Sequence, residues 1–257
     1  MIRIDTPENI YAVFMMRNDS LDEIDSMPRV SPSQVHGENI IHINDDNALN
    51  YALSGTSASN IHGDNALNYA SPGTSASHIH GDNAMNYVLP QRPKADGILL
   101  TTTKVSASIR VADCAPVMIW AERWVMILHS GFKGTVLNIS RNGLELVRKL
   151  YGDDAVSEAH AWIGPCIGRD DYERDAHEEW SIRGMNEFHH ENYDVRYEKV
   201  YFDLAGEIKS QLKEFGIDEK NITMTGINTY RSSECYSYRR GDVHERMTLY
   251  AKLRKFS

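Results

Sequence analysis

Residues 111–134, VADCAPVMIWAERWVMILHSGFKG, hold two apolar runs, APVMIWA and RWVMILH, hinged on the polar residues around Glu122 and Arg123. Apolar runs of this length, rich in Val, Ile and Trp and split by a short polar break, predict adjacent strands with buried faces. A strand, a short turn and a return strand can bring the residue before the first run and the residue ending the second to one sheet end, here Cys114 and His129. Taken singly, Cys114 reads as a buried structural thiol and His129 as a satisfied core histidine. Their common sheet end makes them candidates for chemistry.

Strands also precede this stretch, at GILLTTT and VSASIRV, and follow it at AHAWIG, KVYFD and ITMTGINTY. Between them, TVLNISRNGLELVRKLYG places Val136, Leu137, Ile139, Leu144, Leu146, Val147 and Leu150 on one helical stripe, with Gly152 as a stop. Further helices are expected near Glu173–Asn186, a strongly acidic stretch, and from Asp203 through LAGEIKSQLKEFG. The order is mixed α and β, and 257 residues suit one large core.

Upstream lies a tandem repeat: INDDNALNYALSGTSASN, IHGDNALNYASPGTSASH and the truncated IHGDNAMNYVLP, starting at Ile43, Ile61 and Ile79, 18 residues apart. Ser, Thr, Asn and Gly are kept as faithfully as Leu and Tyr. A solenoid would keep its apolar skeleton and let the rest drift, so recent duplication within a surface insertion at about 43–90 is the expectation.

Twenty-seven basic against 36 acidic residues leave a net charge of −9, and no Lys/Arg run exceeds a pair, which argues against a nucleic-acid partner. No segment approaches the roughly 18 apolar residues of a membrane span, and the first 20 residues lack a basic leader and an apolar core, so a cytoplasmic location is expected. Three cysteines, Cys114, Cys166 and Cys235, make no disulfide framework and leave thiols for metal or chemistry.

His36, in SPSQVHGEN, supplies a third donor from a Gly-punctuated loop. Two imidazoles and one thiolate leave a fourth tetrahedral position for water, the donor set of catalytic zinc. The repeats carry IHGDN around His62 and His80, which could compete for metal, but only His36 follows QV. In HSGFKGT, two glycines and Lys133 suit an anion, although a strand-to-helix turn needs glycine anyway. In SYRRGD, Arg239 and Arg240 suit a phosphate or carboxylate, or equally an ion-paired surface.

Taken in order, QVHG, DGILLT, VADCAPV, ILHSGFKG, AWIGPCIG and CYSYRRGD resemble the YfiH-like family, also called the multicopper polyphenol oxidase (laccase-domain) or peptidoglycan editing factor family. The resemblance runs from about residue 30 to the C-terminus, the repeats excepted. It implies an α+β fold, a four-layer α/β/β/α sandwich with mixed sheets in a single domain spanning residues 1–257. It also implies metal ligands at His36, Cys114 and His129, with zinc or copper as the ion.

The activity implied is purine nucleoside phosphorolysis (adenosine, inosine, guanosine, methylthioadenosine) with adenosine deamination. Cys114 and His129 would be catalytic, and Lys133, Arg239 and Arg240 would bind substrate. A nucleoside and phosphate would be the only partners, with no nucleic acid and no membrane, in a monomer or small homo-oligomer.

Two departures stand out: Lys133 replaces an arginine usual in the HAGWRG-like loop, and Asn228 stands where a cysteine is common. Alternative readings are a metal-free Cys/His amidase editing a peptidoglycan precursor, a copper-dependent polyphenol oxidase, and a non-catalytic binder. Several coppers need many imidazoles, and seven histidines remain outside the repeat-associated His42, His62, His78 and His80.

Overall fold

The computed structural model describes residues 1–19, 27–48 and 92–255. Most of the repeat segment, residues 49–91, lies outside the described residues. Ile43, with which the first repeat opens, is fully buried in a strand.

Fourteen strands and five α-helices are described, in three sheets. A six-stranded sheet contains β4 (Ile40–Ile43), β5 (Gly97–Leu100), β7 (Ala115–Ala121), β8 (Trp124–Ser130), β9 (His160–Ile163) and β13 (Ile222–Met224), in the order β13-β9-β7-β8-β5-β4. A five-stranded sheet contains β1 (Ile2–Arg3), β2 (Ile10–Met15), β3 (Arg29–Val30), β6 (Ser106–Val111) and β14 (Met247–Leu253), in the order β1-β2-β14-β6-β3. A small ribbon joins β10 (Glu173–Asp175), β12 (Lys199–Phe202) and β11 (Tyr193–Arg196). Both larger sheets mix parallel and antiparallel pairs.

Alternation explains the layering. Phe14, Ile109, Leu249 and Ala251 of the five-stranded sheet meet Ile98, Leu100, Met118, Val125 and Ile127 of the six-stranded one in a shared core. The opposite face of the latter, including Leu99, Val117, Ile119, Met126 and Leu128, packs on α2 (Ile139–Tyr151) and α5 (Leu204–Phe215) through Leu144, Val147, Ile208 and Leu212. Each such side chain contributes about 1.5–3 kcal/mol when fully buried. Two sheets and one helical layer are thus described. The mixed α+β, single-domain arrangement is the one expected.

The long helix expected after Gly134 is interrupted. It divides into α1 (Phe132–Val136) and α2 because Asn138 adopts a left-handed conformation (φ 54°) and caps α2, accepting the Arg141 N–H at 3.0 Å. Gly143 lets α2 approach the sheet: a Cβ there would lie 2.4 Å from Met126 Sδ. Leu146 and Leu150 fall on the flank of the stripe, and Leu150 is exposed. After the short α3 (Asp154–Ser157), Glu173–Asn186 proves to be part strand: β10 comes first, and α4 (Glu179–Glu187) begins only at the Glu178 cap. ITMTGINTY supplies just the three residues of β13. Among the described residues no helix is long and apolar enough to cross a membrane.

Candidate metal centre

The β7–β8 hairpin sets the site. Its register pairs Ala115 with Ser130 and Pro116 with His129, so Cys114 lies one step beyond the ladder, beside Gly131. His129 continues the Val125–Ile127 face of β8, buried between the two large sheets. Where the sheet ends, that face becomes the floor of the site.

His36 arrives from the loop before β4, in a left-handed conformation (φ 56°). The buried carboxylate of Asp96, immediately before β5, holds it there. Asp96 accepts backbone N–H groups from Val35 (3.3 Å), His36 (3.0 Å) and Gly37 (2.7 Å), and the Nδ1–H of His129 at 2.8 Å. Burial alone would raise its pKa; the hydrogen bonds from His129 and the loop outweigh that and hold it below the usual carboxylate value.

Donor atoms of His36, Cys114 and His129 lie within 4.8 Å of one another. The two imidazoles meet edge to face with centroids 4.8 Å apart. Burial pushes the Cys114 thiol up, but the His129 charge and hydrogen bonds from both histidines outweigh it, bringing the pKa down to about 6. For His129, burial works downward, while the Cys114 charge and the Asp96 hydrogen bond raise the pKa to about 9. Free of metal, the pair is therefore a thiolate beside an imidazolium.

The donors fit a metal ion. Two imidazoles and a thiolate are the ligand types zinc takes, and metal-bound histidines almost always donate their other ring N–H to a carboxylate, a carbonyl or water, as His129 does to Asp96. The space is also kept open: a Cβ on Gly131 would lie 2.8 Å from Cys114 Sγ and 3.4 Å from His36 Nδ1.

Around this trio the outcome for the cationic candidates is mixed. Arg239 reaches the residue next to Cys114 through its backbone N–H, which donates to Asp113 Oδ2 at 2.7 Å, while its guanidinium donates to the Glu173 carbonyl at 3.1 Å and lies 5.5 Å from the Tyr172 ring. Burial, then the Cys114 charge, pushes the Tyr172 phenol up to about 12. Lys133 is exposed, its Nζ 4.6 Å from the Trp180 ring. Arg240 is built into its own loop, donating to the carbonyls of Thr229, Tyr230, Ser232 and Cys235 and to Asp242. Asn228, in the cysteine-like position, donates to Asp171 at 2.7 Å.

Asp96 and Asp113 are site residues to which sequence reasoning gave no role, and Gly131 figured there only as an anion-binding glycine. Asp113, itself left-handed (φ 80°), ties Cys114 to the last loop by accepting from Thr229 at 2.6 Å and from Arg239. An aspartate beside a strand is common, and nothing in DGILLT announces which backbone it will gather.

Relatives with curated names share part of the chain. It is 28% identical over 157 residues to a purine nucleoside phosphorylase of Aquifex aeolicus (strain VF5), covering 60% of this chain and 68% of that protein. It is 27% identical over 157 residues to purine nucleoside phosphorylase RP494 of Rickettsia prowazekii (strain Madrid E), covering 59% of this chain and 62% of that one. The fold is similar to the crystal structure of Bacillus licheniformis hypothetical protein YfiH, with TM-score 0.72 and 19% identity over 95% of this chain and 93% of the other. YlmD from Geobacillus stearothermophilus matches with TM-score 0.66 and 20% identity over 89% of this chain and 74% of that one.

A family model also takes in β2, well before the residue 30 at which the motifs start. By that match, over residues 4–253, the chain belongs to the family described as multi-copper polyphenol oxidoreductase laccase.

Proposed function

We propose that this chain is a purine nucleoside phosphorylase with adenosine deaminase activity, working at a zinc centre held by His36, Cys114 and His129. The observation that carries the reading is the Asp96–His129–Cys114 line: a buried carboxylate fixes the proton on His129 Nδ1 and leaves Nε2 and a low-pKa thiolate to hold a cation. The names of the Aquifex and Rickettsia relatives supply the substrate class.

Zinc, when bound, would act as a Lewis acid and lower the pKa of a water at its open position. The remaining chemistry falls to the chain. Asp96 holds His129 and the His36 loop in one arrangement. Phosphorolysis needs a cationic cradle for inorganic phosphate, and Arg239 and Lys133 are the candidates, whereas Arg240 holds the loop that carries Arg239 in place. The half-buried Tyr172 phenol, held protonated at neutral pH, is available to donate to a ribose or phosphate oxygen.

A second reading rests on one specific observation. The Cys114 thiolate beside the His129 imidazolium is the resting state of a thiol hydrolase, with Cys114 as nucleophile and His129 as acid and base. The copper oxidase reading has less support: among the described residues one three-residue group suits a metal, and several coppers require more.

The deciding experiment measures bound metal in protein purified without added metal, together with phosphate-dependent inosine cleavage and adenosine deamination. Near one zinc per chain, with turnover lost in Cys114→Ser, is the expected result. A metal-free protein with Cys114-dependent amidase activity would overturn it in favour of the thiol hydrolase.

A further inference from the structure

Glu207, on α5, is as fully buried as Asp96. Its Oε2 accepts the His189 N–H at 2.9 Å and Asn192 Nδ2 at 3.0 Å, and His189 Nδ1 lies 3.1 Å away. One turn further along α5, the Gln211 amide donates to the other oxygen, Oε1, at 3.1 Å. The second hydrogen of that amide leaves the helix and meets the Thr135 carbonyl of α1 at 2.9 Å. Two acceptors therefore fix the amide, because turned over it would set its oxygen against two oxygens. The cost appears at its other end: Gln211 Oε1 is buried with no hydrogen-bond partner among the described residues, an arrangement that native proteins rarely keep.

What Gln211 holds is the segment that frames the metal centre. α1 has five residues and no side-chain cap at its N-terminus, so its own hydrogen bonds are too few to fix its position. Its backbone lies against the surroundings of all three donors. At one end Gly131 leaves room for Cys114 Sγ and His36 Nδ1; further along, a Cβ on Gly134 would lie 3.0 Å from the Gly37 carbonyl and 3.6 Å from that of His129. The Thr135 hydroxyl completes the line. It donates to the Gly131 carbonyl at 3.0 Å, which leaves the Ser130 hydroxyl, 2.9 Å away, as the donor to Thr135. From Glu207 through Gln211 and Thr135 to the residue beside the thiol, no step is longer than 3.1 Å.

We propose that Gln211, oriented by the buried Glu207 carboxylate, is a positioning residue of the metal centre: it holds α1 against the backbone around His36, Cys114 and His129 and so sets the space an ion occupies there. Its effect on an ion rests on the zinc centre proposed above; its hold on the surroundings of the Cys114 thiol does not.

The test compares the whole protein with Gln211→Met, Thr135→Val and the double variant. Gln211→Met keeps length and burial, and it leaves the Thr135 carbonyl the Asn138 N–H at 3.0 Å. Thr135→Val keeps shape and cuts the link to Gly131. Three quantities are read: Co(II) affinity with the visible thiolate-to-cobalt band, the rate at which iodoacetamide modifies Cys114 in metal-free protein at pH 7, and the melting temperature. The expected result for Gln211→Met is about fivefold weaker Co(II) binding with a shifted band, and a Cys114 rate changed about threefold or more. Its melting temperature should move by no more than about 3 °C. The two single variants should combine non-additively, since both cut one line. An unchanged band, affinity and Cys114 rate in both single variants would overturn the proposal, even with a lowered melting temperature, which would make Gln211 a stabilising residue alone. Strictly additive effects would overturn it too. A protein that binds no Co(II), while Gln211→Met still changes the Cys114 rate, would remove the zinc reading and leave the positioning role in place.

Discussion

Asp96 accepts the Nδ1 proton of His129 at 2.8 Å, and the same carboxylate gathers the backbone N–H groups that shape the His36 loop. One buried side chain thus positions two of the three donors. Asp96→Asn keeps the size but offers one acceptor oxygen where the native carboxylate serves four N–H groups. Metal affinity should fall about 10–100-fold with the fold retained. Competition with a chromophoric chelator, alongside circular dichroism, checks it.

Gly131→Ala tests the space beside the thiol. The backbone at Gly131 (φ −79°) suits alanine, but the new methyl would stand 2.8 Å from Cys114 Sγ. Overpacking of this kind costs about 1–3 kcal/mol, so metal affinity should drop roughly tenfold or more. A variant that bound metal normally would show that the donors have freedom the packing denies them.

Cys114 should be the reactive thiol of metal-free protein. Its pKa of about 6 leaves it ionised at neutral pH, whereas burial pushes Cys166 up to about 12. Iodoacetamide at pH 7 should modify Cys114 first, at a rate rising through about pH 6, and stoichiometric zinc should protect it. Peptide mapping by mass spectrometry reads both effects.

Arg240 should matter for stability before it matters for substrate. Its guanidinium satisfies four carbonyls of one loop and pairs with Asp242 at 2.9 Å. Arg240→Lys cannot reproduce that fork, and a loss of about 2 kcal/mol is expected. A raised KM at an unchanged melting temperature would instead make Arg240 a substrate ligand.

His189 provides a pH-dependent brace far from the trio in sequence. Its imidazole bonds Glu214 at 2.9 Å and the fully buried Glu207 at 3.1 Å. The Glu214 hydrogen bond, opposed by burial and aided by Glu207, raises its pKa above the ordinary 6.5. A raised pKa stabilises fully below the unfolded value and is lost as pH rises through the folded one. His189→Gln should therefore lower the melting temperature at pH 5.5 and much less at pH 9, as read by calorimetry.

How much was legible varies by residue. Apolar runs announced β7, β8 and their neighbours because strand burial writes itself as local composition. β2, IYAVFM, is an apolar run of the same kind set among amides and acids, whereas β14 carries no such announcement, with Thr248 and Lys252 between its core residues. The break at Asn138 was equally hidden, since a capping asparagine inside an apolar stripe looks like any polar residue.

By itself the sequence determined the alternation of strand and helix, the hairpin that sets Cys114 against His129, and the three donor types. Periodicity, spacing and side-chain chemistry are all local properties. Only the tertiary structure decided that Asp96 would serve two donors from separate segments, that Gly131 would keep space beside the sulfur, and that Arg240 would turn inward while Arg110 turned outward. Those outcomes depend on which distant backbone groups a folded chain leaves within about 3 Å of a side chain, a distance set by the packing of whole sheets.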